Sequence, residues 1–438
     1  SLGANPQNSQ YLTEQIVTFP DENLEKAIRK AIYKAEGDLY AADLTRLTEL
    51  DPGSAHEIEN LTGLEYCINL KSLFLEYHNI SDLSPLQNLF NLTTLRLGFN
   101  SISDLSPLQN LTGLTVLHLH YNSISDVSPL QNLTKLKTLS LYSNSISDIS
   151  VLQNLTGLEI LYIWQNNISD ISTLQSMKDL EKFSAGNNQI SDISALRELN
   201  KLTHLDLRSN KISNISPLQD LTALRDLNLG GNDISDISPL QNLTRLVSLY
   251  LYSNKISDIS PLQNHNLLKS LYLQGNNISD ISTLEHLSAL THLLLYGNLL
   301  TDISALGSLT KLTYLNLEFN DISDISALQD LLHLEVLYLR YNKIADITSL
   351  QYLLRITKLE MKDNLISDIT PLINNPGIDA GDHLNLRDNP LNYSSIHDLA
   401  PLLQSRSVYI EHDIPKLFTD PEYLDFRTRE TQLYFDIT

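Results

Sequence analysis

The chain has 438 residues, 52 acids against 30 bases for a formal net charge of −22, and a single cysteine. One cysteine excludes an intrachain disulfide framework and leaves the redox compartment open. No apolar run reaches the roughly 18 residues that a membrane-spanning helix needs, so no membrane insertion is expected.

Residues 1–15 are polar and read as a loose, disordered leader. The chain begins SLGANPQNSQ without Met, so it reads as a processed or trimmed product. Residues 16–60 are expected to form a helical N-terminal cap. DENLEKAIRKAIYKAE, from Asp21 to Glu36, puts Leu24, Ala27, Ile28, Ala31 and Ile32 on one helical face, with Pro20-Asp21 as the start. A second short helix is expected over about Ala41 to Leu47, after Gly37. Residues 48–69 keep Ile58, Leu61 and Leu64 of a degenerate first repeat.

From Leu70 to Ile369 one 22-residue sentence recurs, as in LTTLRLGFNSISDLSPLQNLTG at residues 92–113. Its Asn falls at 100, 122, 144, 166, 188, 210, 232, 254, 276, 298, 320, 342 and 364, and His78 takes the place in the copy before. The pattern L-x-x-L-x-L-x-x-N-x-I is the leucine-rich-repeat signature in its short form. Leu95 and Leu97 share one face of a short strand and Thr94, Arg96 and Gly98 the other. Asn100 should end the strand, donating to one neighbouring turn and accepting from the next. Ile102, Leu105, Leu108 and Leu111 return the chain to the core. Ser106-Pro107 reads as a helix start, with the hydroxyl at the cap and Pro in the first turn. No copy can bury its leucines alone, so the copies must stack. The expected fold is an α/β solenoid: a curved array of about 14–15 copies over residues 61–390, with a parallel concave β-sheet, short helical turns on the convex side and a helical cap at each end. Residues 391–438 should close it or begin a further domain; Ile396, Leu399, Leu402 and Leu403 mark a longer helix there, and Phe418, Tyr423, Phe426, Tyr434 and Phe435 make the tail aromatic.

Within residues 61–375 there are 30 acids and 20 bases. Thirteen of the acids occupy the rung of Asp104; without them the acids number 17 against the 20 bases. Asn214 occupies that rung without charge, so the rung is expected to need a backbone hydrogen-bond acceptor rather than to bind cations. Cys67, Met177 and His265 stand where other copies place a core Leu; each is expected to be buried, the histidine with its polar atoms satisfied.

Nothing in the repeat dictates the residues that face out from the strands, so these carry the functional information. The candidate ligand-binding set is Phe74, Tyr77, Phe99, His118, His120, Tyr121, Tyr142, Tyr162, Trp164, Arg208, Tyr250, Tyr252, Tyr272, Tyr296, Phe319, Tyr338, Arg340 and Tyr341. Glu76, Arg96, Tyr314 and Glu318 lie among them, and a small, polar interval (Ser184, Gly186, His204, Asp206, Asn228, Gly230) divides them. Eleven of the 20 tyrosines sit on this wall. Outward aromatics on a rigid surface are what protein interfaces use as anchors. His118 and His120 find no carboxylate or thiolate in the flanking copies to complete a metal site. Ser184, His204 and Asp206 are adjacent polar residues without the donors an acyl-transfer site requires. Without a phosphate loop or a Lys/Arg stripe, no nucleic acid is expected. No cofactor is expected, no residue is expected to be catalytic, and the chain reads as a monomer.

Copies ending N-x-I-S-D-I-S-P-L, preceded by VTFPDENLEKAIRKAI and AADLTRLTELD, resemble those of bacterial internalin-type leucine-rich-repeat proteins over roughly residues 16–390. The resemblance implies a secreted or surface-attached, non-enzymatic protein, its signal peptide removed, whose concave face grips a host or neighbouring-cell surface protein. By position it implicates Tyr142, Tyr162, Trp164, Tyr250 and Tyr252 most. The alternative reading is an intracellular scaffold like the phosphatase-regulatory subunits, which also use 22-residue repeats.

Overall fold

Within residues 92–113, Thr94–Arg96 forms a three-residue strand, and Leu95 and Leu97 turn inward and lose all contact with solvent. Ile102, Leu105, Leu108 and Leu111 are equally buried, with Leu105 just before and Leu108 at the end of a single 3-10 turn at Ser106–Leu108. The protein is described by a computed structural model over residues 15–54 and 57–413. The expectations for residues 1–14 and for the aromatic tail from Phe418 lie outside the described residues.

The chain divides into two compact units, Ser1–Asp233 and Ile234–Thr438. Each is a leucine-rich-repeat solenoid with a parallel sheet on one wall and short turns on the other. Among the described residues of the first unit, strands run from Glu49–Leu50 and Ser72–Phe74 to Asp226–Asn228, stepping by 22 residues from Ser72 onward and pairing residue for residue with the next copy. In the second, they run from Ser248–Tyr250 to Lys358–Glu360 at the same step, then lengthen it to reach His383–Asn385 and Tyr409–Glu411. The asparagine amides tie the copies together. Asn100 Nδ2 donates to Leu75 O (2.8 Å) and Leu97 O (3.1 Å), while its Oδ1 accepts from Ile80 N (2.9 Å). Both amide atoms reach back to the preceding copy, instead of one to each side as expected.

The turn is capped differently from the sequence reading. The Ser106 hydroxyl caps nothing; it donates to Asp104 Oδ2, and Asp104 Oδ1 accepts the Ser106 N–H at 2.8 Å. The backbone and side-chain donors of Ser106 hold the Asp104 carboxyl below its usual range. The thirteen aspartates of this rung make the same backbone bond at 2.8–2.9 Å. Asn214 makes it too, to Ser216 N at 2.9 Å. The rung needs an acceptor, and the charge is incidental to the turn.

At the start, helix α1 (Glu22–Ala31) buries Leu24, Ala27 and Ile28, and a one-turn helix α2 (Ala41–Leu44) comes next. Helix α1 stops short of Glu36 because Tyr33 takes φ +57° and Lys34 N closes onto Arg29 O. Asp21 caps α1 through Oδ1 and receives Glu59 N (2.8 Å) and Asn60 N (3.2 Å) on Oδ2, fastening the cap to the first copy. Partial burial pushes its carboxyl up, but the four backbone donors outweigh that and hold it low. At the end come helix α3 (Thr370–Asn374), a wide turn at Ser395–Leu399 and helix α4 (Ala400–Ser405), with Arg406 donating to Ile373 O at 2.9 Å.

Cys67 is fully buried, and burial pushes its thiol up to about 12, as a small core hydrophobe requires. His265 is also fully buried, but not fully satisfied: Nδ1 lies 3.2 Å from Leu262 O, and Nε2 has no bond of normal geometry. Desolvation holds its imidazolium below the ordinary 6.5 against the opposing pull of the Leu262 and Leu240 carbonyls. His265→Leu, the residue other copies use, is therefore expected to stabilise the protein by about 1–3 kcal/mol at pH 8. Below pH 6.5 the unfolded chain takes up a proton that the folded histidine resists, so wild-type stability falls with pH and the gap should widen. Urea midpoints of both proteins at pH 8 and pH 5 measure this; equal midpoints at pH 5 would show that the imidazole is accommodated without cost.

Candidate binding surface

Three columns of residues line the sheet wall of each unit. The first is the last residue of each strand (Phe74, Arg96, His118, Ser140, Tyr162), and the second lies two residues further on (Glu76, Gly98, His120, Tyr142, Trp164). The third comes immediately after, where the chain turns away, and its backbone is left-handed: Tyr77 φ +64°, Phe99 +57°, Tyr121 +52°, Phe319 +53° and Tyr341 +55°. In other copies this column holds Gly231, Gly275 and Gly297, at φ +64° to +67°, or the polar residues Ser143, Gln165, Asn187, Ser209, Ser253 and Asp363, at φ +51° to +59°. Glycine takes this conformation without strain, whereas a bulky side chain there costs about 1–2 kcal/mol.

In the first unit Tyr77, Phe99, His118, His120, Tyr121, Tyr142 and Trp164 form one connected ring cluster. Tyr77 stacks on Phe99 (4.3 Å between centroids), Phe99 on Tyr121 (4.2 Å), and Tyr142 lies between His120 (4.5 Å) and Trp164 (4.2 Å). The Tyr121 ring meets Tyr142 and Trp164 edge-on at 5.6 and 6.3 Å, joining the columns. Arg96 lies over the Phe74 ring at 5.3 Å. Burial raises the phenols of Tyr142 and Tyr162, so at neutral pH they present hydroxyls, not anions. Past Tyr162 the wall turns polar, and Arg208 lies across Gly186 with its Nε 3.7 Å from Asp206.

In the second unit Tyr250 stacks on Tyr272 (4.5 Å), Phe319 on Tyr341 (4.4 Å), and Tyr314 lies 5.6 Å from Tyr338. Burial, then Tyr338, pushes the Tyr314 phenol up to about 12. Arg340 is paired to buried Glu318, which commits part of its guanidinium within the protein. Tyr252 is half-buried and Tyr296 exposed on the same wall.

Of the sequence-predicted set, His120 alone is buried, at 8% exposure, because Phe99 and Tyr142 cover it. Sequence reasoning also missed a neighbour of the two histidines. Glu76, two copies before His118, brings Oε1 to 3.7 Å from His118 Nδ1. The signal was Gly98: a Cβ there would overlap the His120 imidazole, so the missing side chain opens the space between Glu76 and His120. Burial, aided by Arg96, pushes the His118 imidazolium down to about 4. His120 is likewise held low by burial, against the pull of Glu76. Ser184, His204 and Asp206 do not assemble into a nucleophilic site: Ser184 Oγ donates to Asp206 at 3.2 Å, while His204 Nε2 turns to Asp226 at 3.1 Å. No helix among the described residues is long and apolar enough to cross a membrane.

The family model described as leucine-rich repeats, two copies, matches residues 90–132, 134–176, 178–220, 222–264 and 288–330. No curated protein matches the chain. A leucine-rich-repeat protein of Leptospira interrogans shares the fold, at 23% identity and TM-score 0.78, with 90% of this chain and all of that one covered. An internalin of Listeria monocytogenes (inlF) is 39% identical with TM-score 0.71, the alignment covering 75% of this chain and 96% of that structure. With that identity across nearly the whole of a solved internalin, on a wall of the same repeats, the chain belongs to the internalin family of leucine-rich-repeat proteins, which are non-catalytic protein-binding scaffolds.

Proposed function

We propose that the chain is a secreted or cell-surface scaffold that binds a protein on a host or neighbouring cell through its aromatic sheet wall. The internalin relationship supports the secreted or surface character. The observation that carries the reading is the connected ring cluster of the first unit. The repeat does not call for aromatics in the left-handed column, since Ser143, Gln165, Asn187, Ser209, Ser253 and Asp363 take the same backbone conformation in other copies. Yet Tyr77, Phe99 and Tyr121 stack face to face there, and Tyr121 meets Tyr142 and Trp164 edge-on. Their rings, with Tyr142 and Trp164, offer large apolar faces bordered by hydroxyls, the composition of an interface core.

The test compares wild type with Trp164→Ala and Tyr121→Ala in capture from host-cell surface extracts, with titration of the captured protein afterwards. Trp164 and Tyr121 are expected to behave as anchors, each substitution weakening binding by about 30-fold or more with the cooperative melt retained. Tyr252→Ala reports in the same way on the second unit. Unchanged affinity in all three variants sinks the assignment.

A further inference from the structure

We infer that Glu76, His118 and His120 form a binding site for a divalent transition ion of the zinc class on the sheet wall of the first unit. One ligand atom from each residue lies within 4.8 Å of the other two. Two histidines and a carboxylate are a recurrent zinc donor set, and three protein ligands leave one tetrahedral position open. Bond lengths near 2.0–2.1 Å place tetrahedral ligand atoms about 3.4 Å apart. The His118 Nδ1 to Glu76 Oε1 separation of 3.7 Å already approaches that. The remaining contraction is within the reach of the Glu76 side chain, which is half-buried and whose carboxylate has no closer ion-pair partner among the described residues.

The surroundings are those of a ligand site more than of chance proximity. His118 ends its strand and His120 follows two residues on, so the two continue the same face of the chain. Gly98 clears the ground between His120 and Glu76, since any Cβ would overlap the His120 ring at Nε2. The other ring nitrogen, Nδ1, lies 3.4 Å from the hydroxyl of Ser140, itself buried; in the tautomer where Nδ1 donates to that hydroxyl, the Nε2 lone pair is left to ligate. The stack on Tyr142 holds the ring plane. Arg96 is an opposing charge, and its guanidinium lies over the Phe74 ring. Nitrogen donors select zinc-class ions over calcium and magnesium, which prefer all-oxygen sites.

The test is titration of the full chain with Zn2+ in competition with a chromogenic chelator, and with Co2+ read by its visible absorption. Wild type is expected to take up one ion tightly and give the intense bands of four-coordinate Co2+. Glu76→Gln, which keeps size and shape, should weaken uptake at least about tenfold; His118→Ala should abolish it. His204→Ala, elsewhere in the first unit, and His383→Ala, in the second, should leave it unchanged. Circular dichroism of each variant separates loss of the site from loss of the fold. Stoichiometric uptake that survives both Glu76→Gln and His118→Ala, or a wild type that takes up none, overturns the site. Uptake is read on the isolated chain, so the result stands apart from whether a protein docks on the wall.

Discussion

Asn298→Ala is expected to lower the folding free energy by about 3–5 kcal/mol, among the largest single-residue losses this fold can suffer. The Asn298 amide is 7% exposed and makes three backbone bonds: Nδ2 to Leu273 O (3.1 Å) and to Leu295 O (3.0 Å), and Oδ1 from Ile278 N (3.0 Å). A methyl group replaces none of them. Each orphaned backbone group forfeits about 1–3 kcal/mol where water cannot enter, and the vacated amide adds a small cavity. The loss cannot be spread widely, because a repeat touches only its neighbours. From Leu70 to Ile369 the chain itself substitutes this rung once, in the copy that starts at Leu70, where His78 Nδ1 faces Ile58 N at a long 3.4 Å. Urea denaturation monitored by circular dichroism measures the change; a loss under about 1 kcal/mol would mean that the asparagine ladder marks the repeat without holding it.

The period and the core were legible because fourteen near-identical copies vote on every position, and a leucine that recurs every 22 residues has only one place to go. Asn214 was the informative exception at the acidic rung: losing the charge while keeping the acceptor revealed what the backbone required. The bonding direction of the asparagines was not legible, because a strictly periodic sequence looks the same read toward either neighbour. The serine before each proline resembled a cap, but the acidic residue two positions earlier reaches the same N–H with a stronger acceptor. The left-handed column was hidden because aromatic and polar residues such as Tyr121 and Ser143 fill most of it, although Gly231, Gly275 and Gly297 mark it. Glu76 lay beyond reasoning from adjacent strands: it meets His118 diagonally, across two copies, through a gap defined by a missing side chain.

Gly377→Ala is expected to cost about 3 kcal/mol and to loosen the end of the second unit selectively. Gly377 does not have the positive φ that would make the cost conformational; the obstacle is space. A Cβ there would drive into the Leu354 carbonyl oxygen and lie 2.6 Å from the Leu354 Cα. Backbone cannot rotate aside as the His120 ring could at Gly98. Nor can the Gly377 segment retreat easily, because its N–H donates to Asn375 Oδ1 at 2.8 Å. Asn375 is fully buried in the rung where Leu353 stands one copy earlier, and its Nδ2 ties Leu350 O (2.8 Å) and Leu353 O (3.0 Å). The 22-residue register therefore ends on a clamp: the polar residue that replaces a core leucine binds the last regular turn on one side and positions Gly377 against it on the other. Hydrogen exchange should show protection falling across residues 378–411 in Gly377→Ala while the strands from Ser248–Tyr250 to Val336–Tyr338 keep theirs. Gly113→Ala is the control, because its nearest backbone atom would stand at 3.0 Å, a contact that a small shift relieves. If both alanine variants unfold at the wild-type urea midpoint, the clamp is not what ends the array.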